Sequence, residues 1–300
     1  MILCCGESLI DMLPRETVAG EPAFAPYPGG AVMNTAIALG RLGAASGFLS
    51  GISTDMFGAI LTDALAASKV DTALAIRSDR PTTLAFVKLT DGHAQYAFFD
   101  ENTAGRMLTE ADLPVIPDGA GAMFFGGISL PVEPCGAAYE ALMLREAPAR
   151  VTMIDPNIRP DFIEDENRFR ARIERMIGAA DIVKISDEDL DWLGLDVAGM
   201  IALGVKLVCL TEGAKGVTGH TKNGAVSVPA RRVVVEDTVG AGDTFNAGLL
   251  AGLDRAGCLT KNALAALPED TLRDALALGA AAAAVTVSRA GANPPWEHEL

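Results

Sequence analysis

Between residues 123 and 210 the chain alternates short apolar runs with longer amphipathic ones, and this rhythm limits its fold more than any other feature. Strands are predicted at 123–125, 151–154, 182–185 and 207–210. Helices at 137–145, 168–177 and 188–193, and one more before the last strand, separate them. The strand runs are apolar throughout rather than alternating, which suits strands buried on both faces. Parallel strands joined by helices have that environment. The expected class is therefore α/β: a mostly parallel central sheet between two helical layers, αβα.

The first hundred residues fit the rhythm less well. Strands are predicted at 2–5 and 9–13, broken at Gly6, followed by a Pro/Gly-rich stretch through Pro22, Pro26 and Pro28 to Gly29-Gly30. A helix at 33–42 closes on Gly43, a strand follows at 48–52, and an amphipathic helix at 57–68. Residues 82–89 and 93–99 alternate around Asp91-Gly92, a strong hairpin signal. Later, 216–221 and 225–228 read as a second hairpin, and the rest is helical. The segments near 12–28 and 82–104 read as an inserted small sheet, a lid over the site. With no repeat or long linker, residues 1–300 are expected to form a single domain.

Half the residues are hydrophobic but only 5% aromatic, so the core must be built from Ala, Leu, Val and Ile. A formal charge of −15 argues against a nucleic-acid partner, although acidity is also the ordinary route to solubility. Five scattered cysteines, Cys4, Cys5, Cys135, Cys209 and Cys258, lack metal-ligand spacing and read as reduced, mostly buried thiols of a cytoplasmic protein. The N-terminus lacks the charged and apolar regions of a signal peptide. The apolar run 275–288 is shorter than the ~20 residues of a membrane span.

The chemistry concentrates in Asp237-Thr238-Val239-Gly240-Ala241-Gly242-Asp243, which follows the β-branched run Val233-Val234-Val235 and opens a helical stretch at Thr244. A glycine-rich turn at a helix N-terminus leaves backbone N–H groups without intrahelical partners, and the helix dipole adds to them an affinity for anions. A carboxylate at such a place would compete with the anion. Asp243 makes sense as the base that takes a proton from a nucleophile attacking a phosphoryl group held by the turn. Taken alone it reads equally well as a helix cap. There is no Walker A motif, so a P-loop is not expected.

These residues resemble the D-T-x-G-A-G-D signature of the ribokinase-like (PfkB) carbohydrate kinases. Gly29-Gly30-Ala31-Val32-Met33-Asn34, running into Leu39-Gly40-Arg41-Leu42-Gly43, resembles the same family's N-terminal signature, and both lie in the expected strand-to-helix context. The resemblance, closest to fructokinases, spans essentially the whole chain. It implies a ribokinase-like fold, ATP and Mg²⁺ as cofactors, and a sugar as acceptor.

Residue by residue, the resemblance implies that Asp11, in Gly6-Glu7-Ser8-Leu9-Ile10-Asp11, holds sugar hydroxyls. Gly29 and Gly30 let the backbone approach a polyol, and Asn34 donates to and accepts from hydroxyls. Asn157 and Arg159, in Asp155-Pro156-Asn157-Ile158-Arg159, lie at a strand's carboxyl end, where ligands are expected. Phe98 of the lid presses on the sugar and Arg106 reaches a hydroxyl; both read equally as packing and surface charge. Lys184, Ser186 and Asp189 stand where the family orders magnesium and phosphate through water, with Ser186 in place of Asn and Asp189 in place of Glu. Thr211, Gly213 and Gly216 resemble the ATP-contacting turn, and Ala280 stands where relatives carry Asn near adenine. Asp237, Val239, Ser288 and Gly291 mark a site for a monovalent cation, K⁺.

The mechanism so implied is in-line transfer. Asp243 takes the proton of a primary hydroxyl while the amides of Gly240, Ala241 and Gly242 bind the charge on the phosphoryl oxygens. Fructose is the leading acceptor, giving fructose 6-phosphate. A 2-keto-3-deoxygluconate kinase or a nucleoside or riboside kinase would keep the fold and change the acceptor. A catalytically silent sugar-binding subunit is the reading from another class. The exposed edges expected of the lid sheet suit a homodimer.

Overall fold

A computed structural model of the chain describes residues 1–90 and 93–300, and the side chains of all of these except 87–90 and 93–96. The Asp91-Gly92 turn lies outside the described residues. In chain order the first part contains β1 (Ile2–Cys5), β2 (Leu9–Glu16), β3 (Pro22–Gly29), α1 (Ala31–Arg41), β4 (Ser46–Leu49), β5 (Gly51–Ser53), α2 (Met56–Ala67), β6 (Val70–Asp71), β7 (Ile76–Ser78), β8 (Leu84–Thr90) and β9 (His93–Phe99). The middle contains β10 (Ala122–Gly126), α3 (Cys135–Glu146), β11 (Val151–Asp155), α4 (Glu166–Ala179), β12 (Ile182–Ser186), α5 (Asp187–Leu193), α6 (Val197–Ala202) and β13 (Leu207–Thr211). Then come β14 (Val217–Thr221), β15 (Gly224–Val228), α7 (Ala241–Arg255), α8 (Lys261–Ala265) and α9 (Glu269–Val287).

The large sheet has the order β15-β14-β13-β12-β11-β10-β1-β4-β6. It is parallel from β13 to β6; β14 and β15 run antiparallel at the far edge. Consecutive residues of β1 go to opposite faces. Ile2 and Cys4 join a core with α1, α7 and α9, whereas Leu3 and Cys5 join one with α3 and α4. The sheet is thus covered on both sides, which is why its strands carry no polar alternation. The Ala-rich character of α9 has a packing cause: a Cβ on Gly248 of α7 would lie 2.6 Å from the Gly279 Cα, and one on Gly252 would lie 2.8 Å from the Ala275 Cα. Small residues on both helices let their axes approach.

The lid is a four-stranded sheet, β3-β2-β8-β9, built from the two segments expected to form it. Two sequence-based expectations fail. The strand expected over 48–52 divides: β4 stays in the large sheet, while β5 pairs with β7 in a separate two-stranded sheet. Gly51 sits against the Ala104 carbonyl, where a side chain has no room. The run Val233-Val234-Val235 forms no strand. It is exposed, Val234 at 88%, and is held by the amides of Glu236 and Asp237 on the Val287 carbonyl at the end of α9. Among the described residues no helix is long and apolar enough to cross a membrane.

Candidate active site

A cleft of about 1090 Å³ opens between the lid and the carboxyl ends of β1, β11 and β12, with the N-termini of α1 and α7 on its wall. Ligand sites in open parallel sheets lie in this position. The cleft brings together Asp11, Gly30, Asn34, Phe98, Arg106, Asn157, Arg159, Lys184, Val239, Gly240, Ala241, Gly242 and Asp243.

Helix α7 begins at Ala241, three residues earlier than expected, so the glycine turn is itself the first turn of the helix. Gly240 is its N-cap at φ +77°, a conformation glycine adopts without steric cost. This corrects one detail of the anion site. The Ala241 amide is already bonded to the Thr238 carbonyl at 3.3 Å. Among the described residues the amides of Gly240, Gly242 and Asp243 donate to no protein acceptor, and all three residues line the cleft.

Asp243 is 8% exposed. Asn34 Nδ2 of α1 donates to its Oδ2 at 3.0 Å, and Thr35 Oγ1 donates to its main-chain carbonyl at 3.2 Å. Burial pushes the Asp243 carboxyl up to about 7. The Asn34 bond lowers it, Asp155 raises it, Lys184 lowers it and Glu7 raises it. A carboxylate held near neutrality in a cleft has the proton affinity of a general base.

On the lid side, Asp11 lines the cleft and burial raises its pKa to about 6. A Cβ on Gly29 would run into Asp11 Oδ2, so this glycine makes room for the carboxylate rather than for a ligand directly. Phe98 packs edge-to-face on Phe162 with centroids 4.9 Å apart, joining the lid to the loop after β11. Arg106 lines the cleft with its charge engaged: Nη1 and Nη2 lie 3.4 Å from Asp100 and Glu164, and Nε donates to the Glu133 carbonyl. Arg159 also lines the cleft, and its Nη1 donates to its neighbour's carbonyl, Ile158. Asn157 beside it adopts φ +44°, a strained setting for a residue with a side chain.

Several expected residues lie outside the cleft lining. Ser186 caps α5, its Oγ accepting from the Asp189 amide at 3.0 Å, and Asp189 Oδ1 accepts from the Ile158 amide at 3.2 Å. Thr211 Oγ1 donates to the Ile185 carbonyl. Gly213 opens a 3₁₀ turn, and Gly216, at φ +113°, sits against the Val228 carbonyl. Asp237 accepts from the amides of Val239, at 3.0 Å, and Gly291, at 2.9 Å, so it ties the glycine turn to the last loop; Ser288 donates to the Val285 carbonyl.

Three further site residues emerge in the structure. Glu7 lines the cleft with its carboxylate accepting from the Ala31 amide and from Ser129. Asp155 and Asn246 form a buried cluster with Lys184. Asn246 had a signal: three residues after Asp243 it must share that residue's helix face.

A buried near-neutral base, free helix amides and an acid-lined cleft under a lid define an enzyme that moves an anionic group onto a hydroxyl. The comparisons agree. The family model described as pfkB family carbohydrate kinase matches residues 1–299. A fructokinase of Rhizobium leguminosarum bv. trifolii is 56% identical over 280 residues, covering 91% of this chain and 86% of that protein. The crystal structure of a fructokinase from Xylella fastidiosa with bound ATP aligns at TM-score 0.86 and 30% identity, over 97% of this chain and 93% of the other. A double-mutant fructokinase of Vibrio cholerae, in fructose, ADP and potassium ion bound form, aligns at TM-score 0.83 and 25% identity, with the same coverage. The chain belongs to the pfkB family of carbohydrate kinases and is an ATP-dependent carbohydrate kinase.

Proposed function

We propose that the chain is a fructokinase: it transfers the γ-phosphoryl group of ATP to the terminal primary hydroxyl of fructose, giving fructose 6-phosphate. The juxtaposition of Asp243, buried and with a pKa near 7, with the unpaired amides of the α7 N-terminus carries the phosphoryl-transfer part of this reading, and the 56% identity to a fructokinase supports fructose as the acceptor. Asp243 takes the hydroxyl proton, a step typically worth ~10²–10⁴ in rate. The amides of Gly240, Gly242 and Asp243 and the Lys184 ammonium receive the charge that develops on the phosphoryl oxygens. Asp11, Gly30, Asn34, Asn157 and Arg159 orient the sugar. Phe98, packed on Phe162, closes the lid against water, which otherwise competes as nucleophile. Thr211, Gly213 and Gly216 form the turn that carries ATP.

Magnesium bound with ATP neutralises phosphate charge. Among the described residues no group of three or more His, Cys, Asp or Glu side chains is placed to cage a metal. A hydrated ion on the phosphates would suit a cleft without such a cage; Asp189, outside the cleft lining and with Oδ1 taken by the Ile158 amide, would reach that ion only through one of its waters. A potassium site belongs between the Asp237–Val239 and Ser288–Gly291 segments, which the Asp237 carboxylate joins. The lid carries an edge-to-face row, Phe24 on Phe86 on Phe99, whose two outer rings are exposed, and the reading includes a homodimer formed through it. Its five free cysteines, four of them buried, suit the cytoplasm.

The test is coupled-assay turnover of fructose, ribose, 2-keto-3-deoxygluconate and a nucleoside panel, run in K⁺ and again in Na⁺. Fructose is expected to give the highest kcat/KM. A higher value for the keto acid or a nucleoside replaces fructose as the assigned acceptor.

A further inference from the structure

Beside the base lies a buried cluster that stability does not explain. The Lys184 ammonium donates to Asp155 Oδ2 at 3.0 Å, and Asn246 Nδ2 donates to the same oxygen at 2.7 Å. The three residues are 6%, 2% and 0% exposed. A buried ion pair contributes little net stability, because desolvation offsets the attraction. Two acceptors, Asp155 Oδ1 and Asn246 Oδ1, are buried without a partner among the described residues, which adds to the cost. Yet the cluster is well placed. It joins the ends of β11 and β12 to the first turns of α7, one helical turn from Asp243. A Cβ built on Gly242 would lie 3.2 Å from Lys184 Nζ, so the ammonium sits directly against the glycine turn. Asp155 takes only one of its three protons, leaving donors free toward the cleft that Lys184 lines.

We propose that Asp155 and Asn246 are positioning residues: together they fix the Lys184 ammonium against Gly242 and so set how strongly the turn holds the phosphoryl group in flight. The proposal rests on the kinase reading above. Asn246 orients the Asp155 carboxylate, and Asp155 fixes both the place and the charge of the ammonium. Burial alone draws a lysine toward its neutral form; Asp155, aided by Asp189 and Asp243, more than reverses this and raises its pKa. Both residues act through Lys184, so losing either falls on kcat and spares the KM for sugar.

A double-mutant cycle decides it. Asp155→Asn is expected to lower kcat about 100-fold and Asn246→Ala about 10-fold, each with the sugar KM within about 2-fold of wild type. In a Lys184→Met background, with no ammonium left to place, each substitution is expected to cost less than about 3-fold. Variants that keep kcat within about 3-fold of wild type, or that lose their full factor again in the Lys184→Met background, overturn the proposal. Should Asp155→Asn not fold, Asn246→Ala decides by the same criteria, since it leaves the ion pair in place. If neither folds, the cluster is structural and the proposal fails. A wild-type enzyme that phosphorylates no sugar fails the kinase reading and this one with it, whereas an active wild type with unaffected variants fails this one alone.

Discussion

Asn34 Nδ2 donates to Asp243 Oδ2 at 3.0 Å across 209 residues of sequence, tying the first turn of α1 to the first turn of α7. The bond aims the carboxylate along the wall that carries the unpaired amides, and it favours the ionised form that can take a proton. Two helix N-termini thereby meet at one buried acid. The pH behaviour of the enzyme follows from that meeting.

Activity is expected to rise with pH through about 7, because Asp243 must be ionised to act and its carboxyl is held at about 7. Asp155, Lys184 and Glu7 are the charged groups facing it, and Asn34 is its neutral partner. Asn34→Leu removes a donor that lowers the pKa, so the rising limb of kcat/KM moves to higher pH. Activity near pH 6.5 then falls more than activity near pH 8.5. A limb that stays in place assigns the controlling ionisation to another group.

Stability carries the opposite sign. The Asp243 carboxyl titrates at about 3.9 when unfolded and at about 7 when folded. The folded state therefore binds the proton more tightly. The resulting stabilisation is fully present below about pH 4 and is lost as pH rises through about 7. Asp243→Asn keeps an oxygen to accept from Asn34 and never ionises. Thermal melts are expected to show the variant more stable than wild type near pH 8, with the difference vanishing toward pH 4. A variant that melts lower at both pH values contradicts the burial of a charged base.

What the sequence disclosed, and what it concealed, divides along one physical line. The strands from β10 to β13 were legible because burial on both faces leaves an uninterrupted apolar run, which needs no knowledge of its neighbours. The glycine turn was legible because its chemistry is local. The departure of β5 from the large sheet was hidden, since it depends on the loop around Ala104 pressing on Gly51. The valines at 233–235 look like a strand, yet among the described residues no strand pairs with them. In the sequence Glu7 and Asp155 read only as flanks of Asp11 and Asn157, because their partners Ala31, Ser129, Lys184 and Asn246 come together only in the fold. Arg106 reads as a free cation, but its charge is taken up by Asp100 and Glu164.

Gly29→Ala tests the sugar side of the cleft. The added methyl collides with Asp11 Oδ2, so the carboxylate must swing away. The KM for sugar is expected to rise about 10-fold or more while the KM for ATP stays within about 2-fold. Equal changes in both would place Asp11 away from the sugar.

Gly240→Ala tests the turn. The residue would have to hold φ +77° with its Cβ 2.8 Å from the Ala292 Cβ, a strain of about 1–3 kcal/mol. Denaturant unfolding is expected to show a loss of that order, together with a kcat reduced by displacement of the turn amides. A stable variant with normal kcat contradicts the role given to this cap.

The most direct test is steady-state turnover of Asp243→Asn with ATP, magnesium and fructose, with binding of each substrate measured alongside. The account predicts kcat lower by ~10²–10⁴ with both affinities nearly unchanged. Turnover within about 3-fold of wild type would contradict it, because the hydroxyl proton would then leave without the Asp243 carboxylate.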